Sequence, residues 1–167
     1  MRPEHDTYFT RMAALVATRA TCLRRAVGAV LVNSRRHVLA TGYNGVAAGR
    51  PHCNHHDMFE PVGYPHACQG ATAPSGQKLD ECEAIHAEQN ALLQCRDVFD
   101  IDTCYVTVSP CIHCTKLLLN TSCRRIVAAS IYDQRAASLW TDSGRELVVM
   151  LVVMPAELVQ VQKELDL

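Results

Sequence analysis

Apolar residues first recur at helical spacing. Phe9, Met12, Ala13 and Val16 follow Asp6 and Thr7, two side chains able to cap, and predict a first helix that runs to about Ala20. The period then shortens. Residues 27–32 form a short aliphatic run closed by Asn33-Ser34-Arg35-Arg36, and a second run covers 38–43. Two such runs around a polar turn predict a hairpin, with Gly42 and Gly45 bracketing Tyr43-Asn44 at its exit. From about Gly49 to Asp80 the periodicity disappears, and glycine, proline, histidine and cysteine become frequent. A loop of that length inside a compact domain needs either a function or a metal staple.

Beyond this loop, helical and strand patterns alternate. Helices are predicted over 83–96 and 111–121, each leading into a strand, 103–108 and 125–130 respectively. A further helix begins near Arg135, an apolar strand covers 147–153, and Pro155 opens a last helix. Such alternation predicts the α/β class, with helices on a sheet whose later strands run parallel. There is no internal repeat, and 167 residues suffice for one core, so the chain reads as a single domain over 1–167 with a loop insertion at about 49–82.

Composition narrows the class. The chain is 49% hydrophobic and 20% charged, which is soluble globular usage. A formal net charge of -1 argues against a broad basic surface, and hence against long nucleic acid as a partner. The longest apolar stretch, 147–154, is far shorter than the ~20 residues a membrane helix needs. Arg11 and Arg19 interrupt any secretory pattern at the N-terminus, so the expected location is cytoplasmic. In such a reducing compartment the nine cysteines read as metal ligands or buried apolar groups rather than as a disulfide framework.

The chemistry concentrates in two short motifs, His86-Ala87-Glu88 and Pro110-Cys111-Ile112-His113-Cys114. Catalytic zinc takes three protein ligands and leaves its fourth tetrahedral position to water, whose pKa it lowers toward neutrality. His86, Cys111 and Cys114 supply such a set. The predicted helices put His86 in the first turn of one and Cys111 at the start of the next, where the partial positive charge of a helix N-terminus favours thiolate. Glu88, two positions after His86, points to a different side of a helix. It is therefore the candidate to carry the water's proton to the ring nitrogen and leaving amine rather than to bind metal. Alone, Cys-x-x-Cys reads as structural zinc or a redox pair, and His-x-Glu carries no information. Together, in this order and with proline before the first cysteine, they are the pattern of zinc deaminases that act on nucleobases.

Further segments carry a resemblance. Thr21-Cys22-Leu23-Arg24-Arg25, Val27-Gly28-Ala29-Val30, Thr41-Gly42-Tyr43-Asn44-Gly45, Pro51-His52-Cys53, His86-Ala87-Glu88-Gln89-Asn90-Ala91, Tyr105-Val106-Thr107 and Ser109-Pro110-Cys111 together resemble the deoxycytidylate (dCMP) deaminase family over roughly residues 5–135. The resemblance implies a cytidine-deaminase-like three-layer sandwich, a mixed five-stranded sheet flanked by helices. It also implies hydrolysis of dCMP to dUMP and ammonia, supplying thymidylate synthesis. Hexameric assembly, activation by dCTP and inhibition by dTTP, with Mg2+, belong to the same expectation.

By resemblance, Asn44 contacts nucleotide and Tyr132 packs against the sugar. Arg96 is a candidate for the 5′-phosphate because arginine's planar fork suits phosphate oxygens, although its spacing after His86 does not align with the family. Arg24 and Arg25, close after Cys22, are candidates to meet substrate or a triphosphate effector. The bland alternatives are a turn asparagine, a core tyrosine and solvated arginines. Relatives that carry a second, structural zinc in the 49–80 loop place ligands where Cys22, Cys53 and Cys82 stand, with Cys68, His56 or another loop histidine as the fourth; the bland alternative is buried cysteine. Rival functions are a deaminase of another base or nucleoside, and a zinc-stapled binding module without turnover.

Overall fold

A computed structural model describes residues 2–54, 66–71, 73–74, 77–78 and 80–151. Its elements follow in the order α1 (His5–Ala17), β1 (Gly28–Val32), β2 (Val38–Tyr43), α2 (Ala87–Gln94), β3 (Thr103–Val106), α3 (Ile112–Leu119), β4 (Arg125–Ala128), α4 (Gln134–Asp142) and β5 (Glu146–Val149). The strands form one sheet of order β2-β1-β3-β4-β5. β1 runs antiparallel to both β2 and β3, whereas β3, β4 and β5 run parallel. The five-stranded mixed sheet with parallel later strands is the one expected.

The period of two along each strand divides the core into two layers. Val30, Val32, Tyr105 and Val127 face α1 and pack with Phe9 and Ala13. Ala29, Leu31, Cys104, Val106, Ile126 and Ala128 face the other way, against Ala87, Ala91, Leu118 and Trp140 from α2, α3 and α4. β1 lies between these layers, and all five of its residues are buried. Two glycines let the helices lie directly on the hairpin. A Cβ at Gly28 would strike the Ala13 carbonyl of α1, and one at Gly42 would strike the Ala87 carbonyl of α2.

Element boundaries moved where long-range contacts outweigh local pattern. α1 starts at His5 and ends at Ala17, after which the backbone tightens into bonds from Thr18 to Leu15, Arg19 to Val16 and Ala20 to Ala17. Asp6 does not cap this helix; it sits inside the first turn. α2 begins at Ala87 rather than 83, because Ile85 is held extended by paired bonds to Gly45. β3 ends at Val106, since Thr107 leaves the ladder to bond Gly28. β4 ends at Ala128 rather than 130, and β5 begins at Glu146. The helix expected from Pro155 and the end of the 147–153 run lie outside the described residues.

Asp6 instead anchors α1 to the sheet. Its two carboxylate oxygens accept from the Arg125 guanidinium at 2.7 and 2.8 Å, and the Tyr105 hydroxyl donates to Oδ1 at 2.8 Å. Arg125 Nε donates to Glu146 at 3.0 Å, so this one cluster joins α1, β3, β4 and β5. The Arg125 hydrogen bond, opposed by burial and helped by Tyr105, holds the Asp6 carboxyl below its usual range. A depressed folded pKa gives stability that is present above the unfolded pKa of about 3.9 and lost as pH falls through the folded value. Asp6→Asn should therefore lower unfolding free energy by about 1 kcal/mol at pH 7, as befits a partly exposed bidentate pair. Urea titrations of both proteins should converge as the pH is taken below 4; a constant offset would show that the carboxylate charge is not what matters.

Candidate zinc and catalytic site

His86 and Cys111 share a local geometry that the two motifs alone do not display. Each is the N-cap of its helix and holds an extended backbone, φ -71° and ψ 156° for His86, φ -70° and ψ 172° for Cys111. The His86 N–H donates to Gln89 Oε1 at 2.9 Å, one half of a capping box that fixes the backbone carrying the imidazole. Cys114 lies in the first turn of α3 and is fully buried. His86 Nδ1 stands 3.5 Å from Cys111 Sγ and 3.4 Å from Cys114 Sγ.

These three residues offer one ligand atom each, all within 4.8 Å of one another, and no other such group of histidine, cysteine and acidic side chains occurs among the described residues. Zn–S bonds of about 2.3 Å and Zn–N bonds of about 2.0–2.1 Å in a tetrahedron put ligand atoms roughly 3.5–3.8 Å apart. The trio therefore fits zinc in both spacing and donor chemistry. With three protein donors, one coordination position stays available to water or substrate.

The charges suit that role. The Cys111 thiol is pushed down to about 3, first by the hydrogen bond from Cys114 and then by His86, so Cys111 is a thiolate at neutral pH. Cys114 is the donor in that pair, and its thiol is pushed up. His86 is raised, chiefly by its contact with Cys111. Glu88, only 4% exposed, is not among the ligand atoms. Burial pushes its carboxyl up, opposed by backbone hydrogen bonding and by His86. A carboxyl raised above its ordinary value by its surroundings holds a proton more readily, which suits a group that must both take and give one.

One pocket is lined by His86, Glu88 and Cys111 together with Arg24, Arg25, Asn44, Ser109 and Tyr132. The Arg25 guanidinium lies over the Tyr132 ring, 5.0 Å from its centroid. Arg24 is engaged elsewhere, donating to the carbonyls of Pro74 at 3.0 Å and Lys78 at 3.4 Å. Asn44 uses its amide on the backbone: Oδ1 accepts the Val27 N–H at 2.8 Å and Nδ2 donates to the Arg25 carbonyl at 2.6 Å. Arg96 does not join this group. It follows the carboxyl end of α2, about 12 Å of helix away from His86 at ~1.5 Å per residue. Gln89 and Ser109 stood inside quoted motifs but received no role from sequence. The adjacency of Ser109 to Pro110-Cys111 was the available signal.

The other cysteines also meet. Cys22 and Cys82, both at the pocket wall, share a hydrogen bond that pushes Cys22 up and Cys82 down to about 5. Cys82 also interacts with Cys68, and Cys68 hydrogen-bonds with Cys53. Four thiols from four separate segments thus form a chain of contacts, although no three of them are as tightly gathered as the His86 trio. His56 lies outside the described residues.

The cytidine and deoxycytidylate deaminase zinc-binding region matches residues 3–130. A deoxycytidylate deaminase of Schizosaccharomyces pombe is 37% identical over 150 residues, covering 87% of this chain and 44% of that protein. That of Mycobacterium phage D29 is 38% identical over 130 residues, covering 75% of this chain and 94% of that one. The apo dCMP deaminase of cyanophage S-TIM5 superposes with a TM-score of 0.64 at 26% identity, covering 90% of this chain and all of that chain. The chain thus spans less than half the length of the yeast relative and nearly all of the D29 one. A matched region holding both motifs, wrapped around a trio with zinc spacing, makes this chain a member of the cytidine and deoxycytidylate deaminase zinc-binding family.

Proposed function

We propose that this chain hydrolyses dCMP to dUMP and ammonia. The observation that carries this reading is the pocket itself, in which a buried Glu88 beside the His86-Cys111-Cys114 trio shares space with an arginine stacked on an aromatic ring. Zinc held by that trio supplies a Lewis acid that acidifies water. Glu88 takes one proton from the attacking water and passes it to the ring nitrogen beside the reacting carbon, where it stays in the product. The second, from the hydroxyl now on that carbon, passes through Glu88 to the amine, which leaves as ammonia. The buried position of Glu88 keeps these protons from exchanging with bulk solvent. Arg25 offers a planar fork of donors suited to phosphate oxygens, and stacking on Tyr132 leaves the edges of that fork available.

Support for dCMP as substrate comes from the relatives' activity and from the local placement of Arg25, since a net charge of -1 supplies no general attraction for polyanions. The resemblance further supports hexamer assembly, control by dCTP and dTTP with Mg2+, and a role in supplying thymidylate synthesis. Nine free thiols suit a cytoplasmic setting. The Cys22, Cys53, Cys68 and Cys82 chain is the proposed second, structural zinc site, and metal binding there would draw the thiols closer than their present spacing.

Glu88→Gln should retain zinc and fold while turnover drops at least about 10²–10⁴-fold, the contribution of a general acid–base group. His86→Ala and Cys114→Ala should instead lose the catalytic zinc, read by elemental analysis. Near-normal turnover in Glu88→Gln would remove its assignment.

Total zinc should approach two per chain in protein purified without added metal, and Cys53→Ser should bring it toward one with a lower thermal midpoint. One zinc per chain, unaltered by Cys53→Ser, would eliminate the structural site.

A panel of dCMP, deoxycytidine, cytosine, single-stranded DNA and AMP, each with and without dCTP or dTTP, tests the substrate. A site built around a phosphate rejects analogues that leave its donors unpaired, so kcat/KM for dCMP should exceed the others by at least about 10²-fold. AMP should be inert. Equal activity on deoxycytidine would mean that phosphate is not read, and hyperbolic curves unmoved by either triphosphate would leave an unregulated enzyme.

A further inference from the structure

The loops leaving the carboxyl ends of β3 and β4 are joined at one buried residue, Ser109, which is 5% exposed. Its N–H donates to the Ser130 carbonyl at 2.8 Å, and its hydroxyl accepts the Tyr132 N–H at 2.9 Å. In the chain it is followed directly by Pro110 and the ligand Cys111. Ser109 therefore touches the metal-holding segment through the backbone and the Tyr132 segment through its side chain.

Tyr132 needs this fixing. The residue is 38% exposed, too open for packing alone to set its position, and its ring carries the Arg25 guanidinium on its face. Arg25 is held at its backbone, where Asn44 Nδ2 donates to its carbonyl while Asn44 Oδ1 accepts the Val27 N–H. Both ends of the Tyr132–Arg25 stack are thus tied to rigid structure before any substrate arrives, Arg25 to the start of β1 and Tyr132 to the segment that leads into α3.

We infer that Ser109 is a positioning residue for phosphate recognition: its hydroxyl fixes the Tyr132–Arg25 stack at a set height above the zinc ligands. The inference rests on the reading that Arg25 meets the substrate phosphate. The span from the reacting ring carbon to the 5′-phosphate is nearly fixed by the nucleotide, so a pocket that reads both ends must hold its own two ends at a matching separation. Loss of the hydroxyl leaves the Tyr132 N–H without its acceptor and frees the stack to drift. A displacement of about 1 Å is enough to spoil such a match.

The test compares Ser109→Ala, Ser109→Thr and Arg25→Gln with wild type, each zinc-loaded and matched for zinc content. For each, kcat and KM are measured on dCMP and deoxycytidine, together with inhibition by inorganic phosphate. Ser109→Ala should raise KM for dCMP about tenfold while kcat changes less than about threefold, and selectivity for dCMP over deoxycytidine should fall by the same tenfold. Phosphate should inhibit it more weakly, and Ser109→Thr, which keeps the hydroxyl, should recover most of the loss.

Unchanged selectivity in Ser109→Ala, with selectivity lowered in Arg25→Gln, would overturn the inference and leave the phosphate reading standing. A parallel loss on both substrates would also overturn it, because it would mark Ser109 as structural. Unchanged selectivity in Arg25→Gln would overturn the phosphate reading itself. Should Ser109→Ala fail to hold zinc, Ser109→Cys, of similar size with a weak acceptor, carries the same comparison.

Discussion

The geometry of the centre depends on how closely α2 rests on β2. At Gly42 there is no room for a Cβ, because the Ala87 carbonyl occupies that space, and Ala87 is the residue between His86 and Glu88. The height of the helix above the sheet is thereby the height of both His86 and Glu88. Two further contacts fix its rotation and slide. Asn90 donates to the Tyr43 carbonyl at 2.8 Å, and Ile85 pairs with Gly45 just before the helix begins. A larger residue at Gly42 would lift α2 away from α3, and Cys111 and Cys114 would lose their partner.

Parallel pairing of β3 and β4 supplies the other half. A strand followed by a crossover helix and a parallel strand sends the helix N-terminus to the carboxyl edge of the sheet, where ligand sites of open α/β sheets form. α2 arrives there from the hairpin loop and α3 from β3, so two helix N-termini converge. Their partial positive charge favours thiolate at Cys111, while burial raises the Glu88 carboxyl by desolvation. Opposite demands are met side by side: charge is favoured on the Cys111 sulfur and disfavoured on the Glu88 carboxylate.

This division explains what could be read from the chain. The hairpin and the two motifs that bring His86, Cys111 and Cys114 together were legible because each is encoded by residues within a few positions of one another, although the motifs themselves stand 25 positions apart. The N-cap placement of His86 was not, since it depends on a pairing between Ile85 and the distant Gly45. The start of α1 was misread for a similar reason: a carboxylate that looked like a cap is taken by Arg125, 119 positions away. Arg96 drew attention through its nearness to the zinc motif in sequence, but an eight-residue helix carries it to the far end. Arg25 reaches the pocket from the start of β1, a placement set by tertiary structure alone.

Chemistry and recognition therefore sit on different kinds of backbone. The ligands and Glu88 stand at helix starts locked to the sheet, whereas Arg25, Asn44, Ser109 and Tyr132 stand on the connecting segments around them. Loops of this kind tolerate change that helix starts do not, so one catalytic centre can serve different substrates as the surrounding segments vary. Of the two adjacent arginines, Arg24 already holds the carbonyls of Pro74 and Lys78 and so ties the cysteine-rich loop to the pocket wall. That leaves Arg25 as the arginine available for an anion. Arg25 is placed rather than free: its guanidinium lies over the Tyr132 ring, Asn44 holds its carbonyl, and Ser109 holds the backbone of Tyr132.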